Sequence, residues 1–562
     1  MTAFAITATP LSDPLYYLRN AQQVIQLCLY HYPDLLLAHE QAQLHQLLEL
    51  EESTQALLIR MIMRKGPYFR HDQLQYAEVP MLDQAISALL PLELVVEDPS
   101  LTLSQLCTIS KRPECFELAQ YLLPEQRFAR SITKKELQAQ LLTAFKDRER
   151  PLSQWWPSAP FKLLQLNCVE LFERLRLLFF GNLYQSWSEF VLSELNVYRF
   201  EKVPFTKEDR PFQQRSELDI YLKLHQLQQR VGAGEAVDKV AADITESLVP
   251  PSIAANNEWL AYRSQRVLYQ LGREAERQQH IPLALRLYQQ SQHRAAQIRH
   301  LRIQEKLLAP ARVFAHAQTA LQAIQQPEAQ VSLQRIMQRC ARKAKLDYQA
   351  PSKMALPSTE LVLPRPAQGR VEQAVIQHFT REHIQLFHSE NRLFTGLFAL
   401  LFWPALFKPV PGAFFNPFQA GPADLFRPNF AQHRTTEIAQ GFSQLSNGDY
   451  QRIIKKRFQE KQGISCSLLH WPSLSAPLLE LSLTIIPAAH LAIIFRHLLL
   501  DLRYHSRGMP DLIELDTHTQ QYRLIEVKGP GDRLQDHQQL WLATMLKQQL
   551  PVRVCHVRWQ DQ

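Results

Sequence analysis

Glycine is scarce in this chain of 562 residues: there are 15, or about 2.7%, against an ordinary usage near 7%. Five precede residue 350 and the other ten lie between Gly369 and Gly531. Few tight hairpins or left-handed turns can therefore occur in the first two-thirds, which should be mostly helical. The last third has the turns a sheet needs. Paired cysteines are also missing. The seven cysteines (28, 107, 115, 168, 340, 466 and 555) form no Cys-x-x-Cys, which excludes a zinc knuckle and a disulfide framework. Cys466 and His470 stand four apart with no second pair, a spacing that points to packing rather than metal. No long apolar run exists either. The longest uncharged one, Leu393–Phe407, has 15 residues, contains Pro404 and is flanked by Arg392 and Lys408. It is shorter than the ~20 residues of a membrane span and reads as a buried helix. The first twenty residues lack a basic segment followed by an apolar core, so no signal peptide is expected and the chain reads as a cytoplasmic protein without a membrane partner.

With 46% hydrophobic and 21% charged residues the chain is globular, and its length suggests three or four domains. The net charge of +8 is concentrated. Leu260–Ala350 carries 15 Lys/Arg and five Asp/Glu, a net of +10, and the rest is close to neutral. Either a polyanion docks there or a basic helix face is solvated.

Apolar residues at helical spacing fill 15–65, and shorter amphipathic pieces follow to about 150. Ser131-Ile132-Thr133-Lys134-Lys135-Glu136 predicts a capped helix start, with Thr133 or Ser131 as cap and Glu136 near the third position. Small helix pairs of this kind can lie on a DNA backbone. Residues 160–350 read as stacked helical hairpins. Trp259–Gln279 is one helix, His280-Ile281-Pro282 a turn, and Ala284–Ser291 opens the next with the small-large seam of a tetratricopeptide-type array. Four prolines between 349 and 370 mark a linker. Beyond it a helix is expected over Val371–Phe387, then the apolar run, further helices and a closing α/β segment.

That last segment carries the chemistry. A strand is expected at Asp511–Leu515, a polar turn at 517–520, and a return strand at Gln521–Lys528. Alternation puts Tyr522, Leu524, Glu526 and Lys528 on one face. A Glu-x-Lys pair ending a buried face is unfavourable unless it binds something. Asp511 can converge on Glu526, and two close carboxylates repel unless a cation lies between them. Hard oxygens suit Mg2+ or Mn2+. The implied reaction is metal-assisted phosphodiester hydrolysis, with Lys528 on the attacking water. Gly529-Pro530-Gly531 should turn the chain off the strand, Asp532 should cap a helix carrying Gln538, and Val552–Trp559 should re-enter the sheet.

Pro510-Asp511, fourteen residues, then Glu526-Val527-Lys528 fits the Pro-Asp…(Asp/Glu)-x-Lys nuclease pattern. GMPDL, EVKGPGDRL and Gln538 resemble the VRR-NUC domain. HSENRLFTGLFALLFW and FQAGPADLF extend the resemblance to the Fanconi-associated nuclease family in a bacterial-type form, strongly over residues 370–562 and weakly over the array. The resemblance implies a multidomain, mainly α protein with a C-terminal α/β restriction-endonuclease-like domain. It implies a divalent-metal-dependent, structure-selective DNA nuclease, a phosphodiesterase that cuts 5′ flaps, acts as a 5′-to-3′ exonuclease and serves interstrand-crosslink repair on branched or flapped DNA. By the same carry-over Asp511 and Glu526 are metal ligands with the Val527 carbonyl. Glu390, in the helix before the apolar run, completes the site, Lys528 is the catalytic lysine, and Gln538 occupies a motif position. No ubiquitin-binding zinc finger is evident.

The expected division is an N-terminal helical domain (1–70), a small helical DNA-binding, SAP-like region (71–160), a basic helical repeat (161–350) and the nuclease domain (370–562). For the duplex backbone the candidates are Arg294, Arg299, Arg302, Arg339, Arg342, Lys343 and Lys345. His505, His537 and His556 flank the site as structural or phosphate-contacting groups. Trp403 and the phenylalanines of 394–430 either stack on a displaced strand or fill a core. A Holliday-junction resolvase or restriction-like enzyme on the same core, and a non-catalytic scaffold, are the rival readings.

Overall fold

The computed structural model describes residues 13–560 apart from 65, 186, 188–198, 248–249, 352–353 and 367–369. The first twelve residues and parts of the expected linker thus lie outside the described residues. The chain divides into two units, 1–197 and 198–562.

In the first unit, helices Tyr16–His31, Ala38–Glu49 and Glu52–Met63 precede an antiparallel sheet ordered Tyr68–Arg70, Leu163–Leu166, Val95–Glu97. Helix Val169–Phe180 returns to the first helix, and the Cys28 thiol reaches the Leu175 carbonyl at 3.8 Å. Residues 163–180 were expected to open the helical array. They belong instead to this unit, because Leu163, Leu164 and Leu166 are buried as the central strand of its sheet. A small three-helix body, Leu103–Ile109, Arg112–Leu122 and Lys134–Phe145, closes over Leu106, Leu118, Leu137 and Trp155. Its last helix begins at the expected capping box: the Glu136 N–H donates to Thr133 Oγ1 at 3.2 Å and the Thr133 N–H donates to Glu136 Oε2 at 2.8 Å.

The second unit contains the helical array: α1 (Glu258–Arg277), α2 (Ile281–Gln290), α3 (Arg294–Leu307), α4 (Pro310–Ala323) and α5 (Pro327–Ala344). Its first hairpin closes tightly because α1 offers Gly272 to Tyr288 of α2. A Cβ at 272 would lie 2.6 Å from the tyrosine ring.

The nuclease end is a five-stranded sheet. Its strands are β1 (Ser358–Leu363), β2 (Ile384–His388), β3 (Leu512–Asp516), β4 (Gln521–Lys528) and β5 (Val552–Trp559), in the order β1-β5-β4-β3-β2. β5 runs parallel to β1 and β4; the other pairs are antiparallel. α6 (Val371–Phe379) joins Ile525, Val527, Cys555 and Val557 in one apolar layer. On the opposite face Tyr522 and Leu524 pack with Trp541, Leu542 and Met545 of α8 (Asp536–Lys547) and with α7 (Leu393–Leu401).

The helix expected over 371–387 stops at Phe379. A turn closed by the Arg381 N–H on the Ile384 carbonyl (2.9 Å) leads into β2, whose backbone pairs with β3. Strand pairing with a partner 130 residues away outweighs local helical periodicity here. β3 begins at Leu512, one residue later than expected, and the Asp511 carbonyl instead accepts from the Ser389 and Glu390 N–H groups at 2.8 and 3.1 Å. The apolar run is buried, as α7 and the short helix Trp403–Leu406. Trp403 and Phe394, Phe398, Phe402, Phe407, Phe414, Phe415 and Phe430 are core residues, whereas Phe418 is half-buried and Phe426 exposed. Among the described residues no single helix is long and apolar enough to cross a membrane. The helices Ala476–Ile485 and Ala488–Leu500 are apolar together, but they bend by 109° and contribute Leu479, Leu491 and Phe495 to the core.

Candidate active site

β4 is the central strand that carries the charged end of the site. Both its faces are covered, and from Leu524 to Lys528 every residue is buried. Glu526 and Lys528 follow Tyr522 and Leu524 on the face toward α7 and α8, as alternation predicted. The Lys528 ammonium lies 2.7 Å from Glu526 Oε1. Asp511 enters at the head of β3, and its Oδ2 accepts the Val527 N–H at 2.8 Å. The turn joining β2 to α7 brings Glu390 to the same place.

The electrostatics are those of crowded, buried carboxyls with one lysine among them. Burial pushes the Glu526 carboxyl up to about 8, with Asp511 and then Glu390 adding repulsion against the opposing pull of Lys528. Asp511 is pushed up to about 6 by burial and by Glu390 and Glu372, against the Val527 N–H and Lys528. Neither Glu526 oxygen accepts a well-directed hydrogen bond, so the lysine contact is a charge pair rather than an aligned bond. A buried carboxylate without donors is costly. Hard oxygen donors that repel one another are the chemistry a small divalent cation neutralises, so these residues fit a metal of that class. Among the described residues no three His, Cys, Asp or Glu side chains already close around one point. Lys528 supplies the local positive charge.

One acidic residue escaped the sequence reading. Glu372, in the first turn of α6, acts electrostatically on Asp511, and its Oε2 is buried without a hydrogen-bond partner. The helical register of Val371-Glu372 before an apolar face was legible, but only the fold brings α6 to the Gly529 turn, where a Cβ on Gly529 would touch Val371 at 3.9 Å. Glu390 lies in a turn rather than in a helix, because Asn391 adopts a left-handed φ of 52° and α7 starts only at Leu393.

One role expected beyond the glycine turn is changed. Asp532 does not cap α8. Its Oδ2 accepts the Gly529 N–H at 3.2 Å, closing the turn, and α8 begins four residues later. Gln538 folds back to its own helix start, where its Oε1 accepts the Gln535 N–H at 3.0 Å. His505 is fully buried, stacked on His497 at 4.0 Å, with its Nδ1 2.6 Å from the His497 carbonyl; burial lowers its pKa. His537 packs on Gly508, and His556 is exposed on β5 opposite Lys528.

In the array, three of the seven basic candidates are engaged. Arg294 pairs with Glu328 (3.1 Å) and Asp501, Arg299 with Glu276 (2.9 Å), and Arg339 with Glu305 (2.6 Å). Arg302, Arg342, Lys343 and Lys345 are exposed and form no ion pair among the described residues. Lys345 sits in a left-handed position just past α5.

Comparison with known proteins matches residues 445–559 to the VRR-NUC domain and residues 15–96 to the FAN1, HTH domain. The chain is 37% identical over 558 residues to the Fanconi-associated nuclease 1 homolog of Pseudomonas aeruginosa, covering 99% of this chain and 98% of that protein. Fanconi-associated nuclease 1 of Homo sapiens is 30% identical over 193 residues, 33% of this chain and 19% of the human protein. A crystal structure of paFAN1 bound to 5′-flap DNA with a two-nucleotide flap and a gap superposes with a TM-score of 0.83 at 37% identity, covering 98% of this chain and all of that one.

Proposed function

This chain belongs to the Fanconi-associated nuclease family, and from that premise we propose how its own residues cut DNA. It is a divalent-metal-dependent, structure-selective DNA nuclease of DNA repair. Its substrate is DNA carrying a 5′ flap, the ligand held by the similar solved protein, and its setting is the repair of interstrand crosslinks in chromosomal DNA. The observation that carries the reading is the buried Asp511, Glu526 and Lys528 constellation within a chain related to that protein over nearly its whole length.

Asp511, Glu526 and the Val527 carbonyl would hold Mg2+ or Mn2+, with Glu390 completing the site and Glu372 adding negative charge from α6. When bound, the cation polarises a phosphoryl oxygen and makes a water acidic enough to attack. Lys528, 2.7 Å from Glu526, is placed to orient the attacking water and to face the charge that develops on the phosphate. Gln538 supports α8 through its cap. Arg302, Arg342, Lys343 and Lys345 bind duplex phosphates, whereas Arg294, Arg299 and Arg339 hold the array together. The functional division follows: DNA-gripping helical bodies precede the array, and residues 370–562 cut.

The test is Asp511→Ala on labelled 5′-flap, 3′-flap and four-way substrates with each metal. Cleavage should be lost on all of them while DNA binding survives. Undiminished cutting by the variant rejects the assignment, and paired symmetric cuts in four-way junctions by the wild-type enzyme would make it a resolvase.

A further inference from the structure

The turn Ser389-Glu390-Asn391 is fastened to Met509-Pro510-Asp511 by more bonds than a chain crossing needs. The Ser389 and Glu390 N–H groups both donate to the Asp511 carbonyl (2.8 and 3.1 Å), and the buried Ser389 hydroxyl lies 3.4 Å from the Pro510 and Asp511 carbonyls. Asn391 adds a side-chain bridge. Its Oδ1 accepts the Met509 N–H at 3.1 Å, and its Nδ2 donates to Glu390 Oε1 at 3.1 Å. The two partners fix the amide's orientation, since an N–H requires the oxygen and a carboxylate requires the amino group. Asn391 also holds a left-handed φ of 52°, a conformation asparagine tolerates better than most residues, and its carbonyl accepts the Thr395 hydroxyl at 2.8 Å.

We propose that Asn391 is a positioning residue of the metal site: its amide locks the Glu390 carboxylate onto the strand entry that carries Asp511, so that both acids face the cation together. This rests on the assignment of Glu390 as a ligand. The geometry favours it over a purely structural bridge. Main-chain bonds from Ser389 and Glu390 already fasten the two segments, so what the Asn391 side chain uniquely supplies to an acid is the bond to Glu390. That bond occupies Oε1. The other oxygen, Oε2, lies 3.9 Å from the His388 ring. Groups that orient metal-ligating side chains typically change metal affinity 10- to 100-fold when removed.

Asn391→Gly separates the alternatives, because glycine accepts the left-handed backbone without strain and removes only the bridge. Mn2+ alone is titrated calorimetrically into the full chain as wild type, N391G, E390A and the double variant, and each is melted without metal. The expected result is an affinity loss of about tenfold in N391G, a loss in E390A, no additional loss from N391G in the E390A background, and a modestly lower metal-free melting temperature in N391G, because the buried Met509 N–H loses its acceptor. Wild-type Mn2+ affinity in N391G with a loss in E390A overturns the positioning role and leaves the ligand assignment standing. An unchanged affinity in E390A overturns that assignment and the positioning role with it. Equal losses from N391G in both backgrounds reduce Asn391 to a structural part and also overturn the proposal.

Discussion

Protons should leave the site when metal enters it, and their number follows from the two raised carboxyls. With Asp511 near 6 and Glu526 near 8, about a tenth of the first and nine-tenths of the second are protonated at pH 7, about one proton in all. At pH 9 the total falls to about a tenth. Mn2+ binding measured calorimetrically at pH 7 in buffers of different ionisation enthalpy should therefore release about one proton, and about a tenth at pH 9. Glu526→Gln should cut the pH 7 release to about a tenth. The sign for stability is the reverse of the usual salt-bridged acid. Both carboxyls are raised above their ordinary values of 3.8 and 4.5, so the folded protein binds more protons than the unfolded chain between about pH 4 and 8. Metal-free stability should fall as pH rises through that window. For Glu526, moving from 4.5 to about 8 at about 1.4 kcal/mol per tenfold sets a ceiling of about 5 kcal/mol. E526Q should flatten the fall, and bound metal should stabilise the wild type more at pH 8.5 than at pH 5.5. A release near zero at pH 7, or one unchanged in E526Q, would refute the description of crowded, buried carboxyls.

Other outcomes follow from the same geometry. Lys528→Ala should lower kcat by about 10²- to 10³-fold at saturating Mn2+ while calorimetric metal binding persists. Replacing Arg302, Arg342, Lys343 and Lys345 together by Gln should reduce the slope of log affinity against log salt by about 0.9 for each phosphate no longer neutralised, whereas Arg299→Gln with Arg339→Gln should leave it nearly unchanged in fluorescence-anisotropy titrations. Trp541→Ala should cost about 3–5 kcal/mol in chemical denaturation. Its indole is buried and donates to the His505 and Arg507 carbonyls at 3.1 and 3.0 Å, so metal affinity should drop as the approach to Asp511 loosens.

The return strand Gln521–Lys528 and the closing strand Val552–Trp559 were legible from alternation, as was the capping box at Thr133, because each depends on residues within a few positions. The same locality exposed Asp511, Glu526 and Lys528: a charged pair at the end of an apolar strand face is conspicuous without any structure. Glu372 was not legible, since a glutamate in the first turn of a helix is ordinary until the fold sets that helix beside the Gly529 turn. The basic candidates likewise could not be sorted in advance. Glu276, Glu305 and Asp501 are drawn to Arg299, Arg339 and Arg294 by helix packing and by a pairing across 207 residues.

What the amino-acid order determined by itself was therefore the scarcity of turns before residue 350, the helical body, the strand pair and the charged cluster at its end. Those depend on backbone freedom and on periodicities of two and 3.6 residues. Tertiary structure alone decided where the helix after the linker ends, which arginines remain open to a phosphate, and how Glu372, Glu390 and Asn391 meet Asp511. Each of those outcomes is a competition between distant partners for the same hydrogen bond or charge, and only the assembled fold brings those partners together.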